Sequence, residues 1–123
     1  RQNAIVNTAL VKEGTYVSNT CQRWVREAYE ETFNKKCIAQ NSANTASADW
    51  TVTELPDDYK LIPKGATIYC NIGEYGHVGI YDGEGNVIHC QSGEKMITPY
   101  DEFVSYFHAV SWGWQNGDNL TID

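Results

Sequence analysis

The spacing of apolar residues in the first part of the chain follows the period of an α-helix. Between residues 3 and 11, and again between residues 19 and 33, apolar residues recur every three or four positions. This spacing predicts two amphipathic helices. We interpret Asn19 and Gln22 as a capping box that starts the second helix, with Ser18 and Thr20 as alternative caps.

The second part of the chain follows the shorter period of β-strands. The pattern predicts a strand over residues 66–71, a hairpin over 76–90, a helix over 100–107 and a last strand over 109–114. The helix over 100–107 is expected to turn four aromatic residues inward: Tyr100, Phe103, Tyr106 and Phe107. Helices followed by a run of neighbouring strands predict an α+β fold. We therefore expect N-terminal helices packed on an antiparallel β-sheet meander.

The register of the hairpin decides whether its two histidines can cooperate. A three-residue loop is favoured because Gly85 can adopt the left-handed conformation that its last position requires. This loop sets Gly79 opposite His89, so His77 and His89 become diagonal neighbours on one face. The other face is then apolar and is expected to face the core: Val78, Ile80, Ile88 and Cys90.

Length, charge and composition limit the function classes. The chain has 123 residues, 41% of them hydrophobic, which suits a single domain over residues 1–123. A net charge of −7 excludes ordinary nucleic-acid binding, and no apolar run is long enough to predict a membrane span. The chain starts at Arg1 without methionine, so we expect a domain excised from a longer protein. We also expect it to act as a monomer.

Cys21 is the candidate nucleophile because it lies in the first turn of the second predicted helix. The helix N-terminus favours negative charge, so we expect the pKa of this thiol to fall below its ordinary value of about 8.5. A histidine on a sheet packed against that helix could act as its base. Cys21, His77 and His89 can fill the roles of nucleophile, base and orienting residue. The alternative reading is a buried core cysteine beside two structural histidines.

Residues 4–114 resemble the NlpC-type cell-wall peptidases, a papain-like superfamily of cysteine peptidases. The most specific match is the run Gly76-His77-Val78-Gly79-Ile80-Tyr81 followed by Val87-Ile88-His89; Gly14-Thr15-Tyr16 before Cys21 and Pro63-Lys64-Gly65 before a strand also match. The resemblance implies a papain-like fold with Cys21 as nucleophile, His77 as base and His89 as orienting residue. It also implies hydrolysis of bacterial peptidoglycan stem peptides between D-glutamate and the diamino acid.

The oxyanion and substrate-binding residues implied by the resemblance are Tyr16, Thr20, Cys21 and Gln22. Tyr16 matches a family tyrosine that helps to bind the oxyanion. Thr20 and Gln22 stand where the family usually has aspartate and serine. In some members that aspartate binds a free peptide amine. The run from Cys21 to Val25 is also similar to the CHAP amidases, which commonly use Glu or Asn where His89 stands here.

These observations lead to a leading hypothesis and several alternatives. We expect a cysteine peptidase without cofactor or metal, acting outside the cell or in the wall of a bacterium, or delivered by a phage or secretion system. A separate domain would direct it to the wall. The alternatives are a CHAP-like amidase, an acyltransferase or deamidase with the same triad, a zinc site at the triad, and a binding module without activity. Cys70 and Cys90 are not expected to form a disulfide, because one strand separates them.

Overall fold

A computed structural model of the protein describes residues 1–34, 42–49 and 52–115. Within these ranges the fold is α+β, with N-terminal helices packed on an antiparallel sheet, as predicted. The helices are α1 (Gln2–Val11), α2 (Cys21–Phe33), α3 (Ala43–Asp49) and α4 (Tyr100–Phe107). The strands are β1 (Val52–Glu54), β2 (Thr67–Cys70), β3 (His77–Tyr81), β4 (Asn86–Gln91), β5 (Glu94–Pro99) and β6 (Ala109–Gly113).

Helix α2 starts two residues later than the sequence pattern predicted. Thr20 occupies the N-cap position without a capping side-chain bond, and Asn19 has a left-handed backbone with φ 62°. The predicted capping box is wrong, because Gln22 points to the buried side and donates to Gln115 Oε1 at 3.0 Å. Cys21 is therefore the first residue of the helix. Its backbone N–H lies in the terminal turn, where helical N–H groups lack an intrahelical partner.

The described strands form one six-stranded sheet in the order β1-β6-β2-β3-β4-β5. The predicted register of the hairpin is confirmed: Gly79 pairs with His89, and the Asp82 N–H donates to the Asn86 carbonyl at 3.0 Å. Gly85 has φ 91°, the left-handed conformation that the three-residue loop requires. Strands β1 and β5 were not predicted, and β6 lies between β1 and β2 instead of at the end of the meander.

Both faces of the central strands are buried. Val78 and Ile80 lie on the face covered by α1 and α2, as expected for the core. The histidine face is covered by α4, whose Phe103 and Phe107 are buried against His77 and His89. The prediction of α4 was right in its bounds but wrong for Tyr106, which points to solvent.

Two further expectations, on the Cys70–Cys90 pair and on membrane spans, agree with the described residues. Cys70 and Cys90 are free, and β3 separates their strands. Cys37 lies outside the described residues. Every helix in the described ranges is too short or too polar to cross a membrane.

Candidate active site

The candidate site lies where β3 and β4 separate. Their pairing runs from Tyr81 opposite Val87 to Gly79 opposite His89 and ends there. The first residues of β3 and the last residues of β4 are therefore not paired with each other, and the N-terminus of α2 meets the sheet at this opening. A pocket of about 300 Å³ results, lined by Ser18, Asn19, Thr20, Cys21, His77, Cys90, Gln91 and Ser92.

The structure brings Cys21 and His77 to this one pocket. Backbone groups of Cys21, Gln22 and Val78 contact the Cys21 thiol and favour its thiolate form. Val78 pairs with Tyr69 on β2 and lies just beyond the end of the β3–β4 pairing.

His77 and His89 form a direct hydrogen-bonded pair. His77 Nε2 lies 2.9 Å from His89 Nδ1, so Nδ1 is the nitrogen of His77 that remains for the thiol. The ring of His77 stacks on Phe107, with the two centroids 4.2 Å apart and the planes at 21°. His89 has no exposed surface, and Phe103 packs edge-on against it.

Burial decides the charge state of these groups. It lowers the pKa of His77 to about 3, with a further contribution from the nearby His89, and it lowers the pKa of His89 to about 4. Burial also raises the pKa of the Cys21 thiol, and this effect outweighs the backbone groups that lower it. The expectation of a low thiol pKa is therefore wrong. At neutral pH the resting pair is a neutral thiol beside a neutral imidazole.

The structure separates the predicted oxyanion and substrate-binding residues. Thr20 lines the pocket, but its hydroxyl is used in the preceding loop, where it donates to the Val17 carbonyl at 2.7 Å. Tyr16 is 74% exposed and does not line the pocket, so the structure does not bring its side chain to Cys21. The side chain of Gln22 is 2% exposed on the other side of α2, where it cannot contact a ligand in the pocket.

The loop before Cys21 is held by the turn between β4 and β5. The Tyr16 N–H donates to the Gly93 carbonyl at 2.7 Å. Gly93 has φ 83°, and a Cβ atom there would lie 2.4 Å from the Val17 nitrogen. Only glycine meets both conditions without displacing the loop. The turn thereby positions the residues that lead into α2.

Sequence reasoning missed the residues that complete the surroundings of the histidines. Thr98 Oγ1 lies 2.7 Å from His89 Nε2. Its signal in the sequence was weak, because most residues of β5 are exposed and the strand lacks a continuous apolar face. Phe103 and Phe107 were expected to point inward, but their packing on the histidine rings depends on where α4 crosses the sheet.

The geometry does not favour a zinc site. No group of three or more His, Cys, Asp or Glu residues in the described part of the chain is arranged to hold a metal ion. Both ring nitrogens of His89 are already within hydrogen-bond distance of His77 and Thr98. Metal ligation by His89 would require one of these hydrogen bonds to break.

No model of a known protein family and no curated protein matches this chain. A function for this chain is therefore inferred from the residues of the pocket and from the resemblance of residues 4–114 to the NlpC-type peptidases.

Proposed function

We propose that this domain is a cysteine peptidase that hydrolyses bacterial peptidoglycan stem peptides through Cys21, His77 and His89. The observation that carries the proposal is the hydrogen bond of 2.9 Å between the two histidines, with His77 lining the same pocket as Cys21. The resemblance of residues 4–114 to the NlpC-type peptidases supports the choice of substrate.

The reaction proposed is acyl transfer through a thioester. Because the resting pair is neutral, His77 Nδ1 takes the thiol proton as the Cys21 sulfur attacks the scissile carbonyl carbon. The Cys21 N–H stabilises the oxyanion. The imidazolium of His77 then protonates the leaving amine, and the C–N bond breaks to give the thioester. His77 next deprotonates a water molecule, which attacks the thioester and releases the carboxylate and the thiol.

The pocket suits an amide bond that has no free amine nearby. Apart from His77 and the thiols, its described lining consists of uncharged polar residues, namely Ser18, Asn19, Thr20, Gln91 and Ser92. A carboxylate that could bind an ammonium group is absent from this lining. We therefore propose cleavage within the stem peptide without a requirement for a free amino end.

Mass spectrometry of digested wall peptides tests this proposal. Purified peptidoglycan fragments are incubated with the wild-type protein and with Cys21→Ala, and the products are mapped. The expected products carry a new amino group on the diamino acid and a new carboxyl group on D-glutamate. They should form equally well from fragments whose N-terminus is free or acetylated.

Other outcomes would replace the proposal with a specific alternative. Cleavage of a different wall amide that depends on Cys21 would indicate a CHAP-like amidase. Transfer to an added amine would indicate an acyltransferase, and ammonia release from glutamine side chains would indicate a deamidase. Binding of wall fragments without any Cys21-dependent product would indicate a binding module.

The proposal carries expectations about surroundings and partners. A peptidoglycan hydrolase of this kind acts outside the cell or in the bacterial wall, or is delivered there by a phage or secretion system. The net charge of −7 offers little attraction to an anionic polymer, so we propose that a separate domain targets the wall. Cell fractionation of the full-length protein tests the proposed location outside the cell or in the wall.

A further inference from the structure

The histidine pair continues into a third polar group on β5. His89 is fully buried, its Nδ1 atom lies 2.9 Å from His77 Nε2, and its Nε2 atom lies 2.7 Å from Thr98 Oγ1. A single line of hydrogen bonds therefore runs from His77 through His89 to Thr98. One end lies in the Cys21 pocket. The other end lies in a groove of about 580 Å³ between α4 and β5.

This line can hold its protons in two ways when both imidazoles are neutral. In the first, His77 Nε2–H donates to His89 Nδ1, and His89 Nε2–H donates to the Thr98 oxygen. His77 Nδ1 is then an unprotonated acceptor. In the second, every bond is reversed, Thr98 donates to His89, and His77 carries its proton on Nδ1. Only the first arrangement allows His77 to take a proton from Cys21.

We propose that Thr98 is a positioning residue that selects the first arrangement by accepting a hydrogen bond from His89 Nε2–H. Its effect on turnover rests on the proposed function of Cys21 and His77, whereas its effect on the tautomers does not. The residue acts through His89 and does not touch the thiol.

The surroundings of Thr98 explain why its hydroxyl can act as an acceptor. The residue is half buried on β5, and Asp101 and Glu102 line the same groove. The hydroxyl proton can therefore point toward solvent and these carboxylates, which leaves an oxygen lone pair for His89. His89 Nε2 has no route to solvent, because the side chain is fully buried.

A valine at position 98 would remove the acceptor and keep the shape of the side chain. A buried N–H without an acceptor carries a desolvation cost, and such orphaned donors are rarer in folded proteins than under-satisfied acceptors. His89 in the variant Thr98→Val should therefore move its proton to Nδ1 and donate to His77 Nε2. His77 would then hold its own proton on Nδ1 and lose its function as a base.

Nitrogen-15 NMR of histidine-labelled protein tests the proposal without any substrate. At neutral pH the wild-type protein should show His77 and His89 both protonated on Nε2. A wild-type spectrum with His89 protonated on Nδ1 would overturn the proposal, even if every Thr98 variant failed to fold. Among the described residues, the titratable groups that line the two cavities beside the histidines, or pair with His77 on β2, are Cys21, Cys70, Cys90, Asp101, Glu102 and Tyr106.

Variants provide the second measurement. Thr98→Val should switch His77 to the Nδ1–H form and lower kcat by about 10²-fold or more, the usual contribution of a general base, with KM unchanged. Thr98→Ser should keep the wild-type tautomers and a kcat within a few-fold. Thr53→Val removes a hydroxyl from an exposed position on β1 and should change neither the histidine tautomers nor kcat. Unchanged tautomers in Thr98→Val would contradict the proposal.

The two readouts separate this inference from the proposed function. If the wild-type tautomers are as expected but wall peptides are not hydrolysed, the role of Thr98 in the hydrogen-bond line is supported and the proposed peptidase function is wrong. Hydrolysis with His89 protonated on Nδ1 would keep the peptidase activity but contradict both the role of Thr98 and the use of His77 Nδ1 as the base.

Discussion

At the scale of single residues, the chemistry of the site depends on burial more than on the helix N-terminus. The first turn of α2 favours a Cys21 thiolate, typically by less than one pKa unit, whereas burial acts in the opposite direction and is the larger effect. Burial also keeps His77 neutral, with a pKa of about 3. The thiol and the imidazole therefore do not form an ion pair at rest, and the proposed reaction requires a proton transfer between them.

Because the two histidines have different proposed roles, their substitution should lower the rate of wall-peptide hydrolysis by different amounts. His77→Ala should lower wall-peptide hydrolysis by about 10²-fold or more, because the general base is lost. His89→Gln should cost less, since an amide oxygen can still accept from His77 Nε2–H. His108→Asn is the matched control, because His108 is exposed at the left-handed end of α4 and Asn tolerates that backbone. Rates are measured by chromatography of the released peptides, and equal activity of all three variants would remove the assignment.

The neutral resting pair predicts the pH dependence of Cys21 alkylation. Because its pKa is raised, the thiolate forms only at alkaline pH, so labelling by iodoacetamide should be slow at pH 6 and should rise up to and above pH 9. His77→Gln should show the same dependence, since His77 carries no charge in this range. Peptide mass spectrometry after timed labelling gives the rates. Fast labelling of Cys21 at pH 6 that is lost in His77→Gln would instead establish an ion pair.

At the scale of elements, the hairpin of β3 and β4 determines the site through its register. The three-residue loop places His77 and His89 on one face, and the early end of the pairing opens the pocket for Cys21. Gly79 lies between the two histidines on the same face. The missing side chain leaves the room that Val87 and His89 occupy.

This packing predicts that Gly79→Ala destabilises the protein and displaces His89. The added Cβ would lie 2.5 Å from Val87 Cγ1 and 3.1 Å from His89 Cβ. Overpacking of this kind costs about 1–3 kcal/mol of unfolding free energy. Chemical denaturation of Gly79→Ala, Val87→Ala and the double variant measures the coupling. The double variant should lose less than the sum of the single losses, because Val87→Ala removes the clashing atom. Additive losses would show that the two positions do not clash.

At the scale of the whole molecule, the sheet is enclosed by helices on both faces. Helices α1 and α2 cover one face, and α4 covers the other with Phe103 and Phe107. The two histidines are therefore held in an apolar layer, where the uncharged form of each imidazole is favoured. The fold couples its own stability to the protonation of the candidate site.

This coupling predicts that acid weakens the fold. The pKa values of His77 and His89 fall from 6.5 to about 3 and about 4, so the unfolded chain binds protons that the folded chain does not. Protonation of the two histidines does not lower the free energy of unfolding above pH 6.5. Below pH 6.5 this free energy falls until the pH reaches the pKa values that the histidines have in the folded state. Each histidine should contribute a loss of up to about 1.4 kcal/mol per pH unit in this window. Urea denaturation between pH 7 and pH 4 measures the slope.

A double variant isolates the contribution of the pair. His77→Gln with His89→Gln should lower stability at pH 7 and flatten the decline between pH 6.5 and pH 4. A decline of equal steepness in the double variant would assign the acid sensitivity to other groups.

Local sequence determined helices α1, α2 and α4, the central strands and the register of the hairpin. These features depend on contacts between near neighbours in the chain, such as the apolar stripe of α2, the left-handed Gly85 and the alternation of residues 77–81. The same local pattern identified Cys21, His77 and His89 as candidates. It also led to the wrong capping box, because the side chain of Gln22 donates a hydrogen bond to Gln115, which lies 93 positions away.

Tertiary structure decided what surrounds those candidates. The covering of His77 by Phe107, the hydrogen bond between His89 and Thr98 and the exposure of Tyr16 all depend on where α4, β5 and the loop before α2 meet the sheet. The pKa of Cys21 likewise depends on how deeply the folded chain buries it. Burial is a sum over distant segments, so the pattern of neighbouring residues can propose a catalytic group, while only the assembled fold determines its charge and its hydrogen-bond partners.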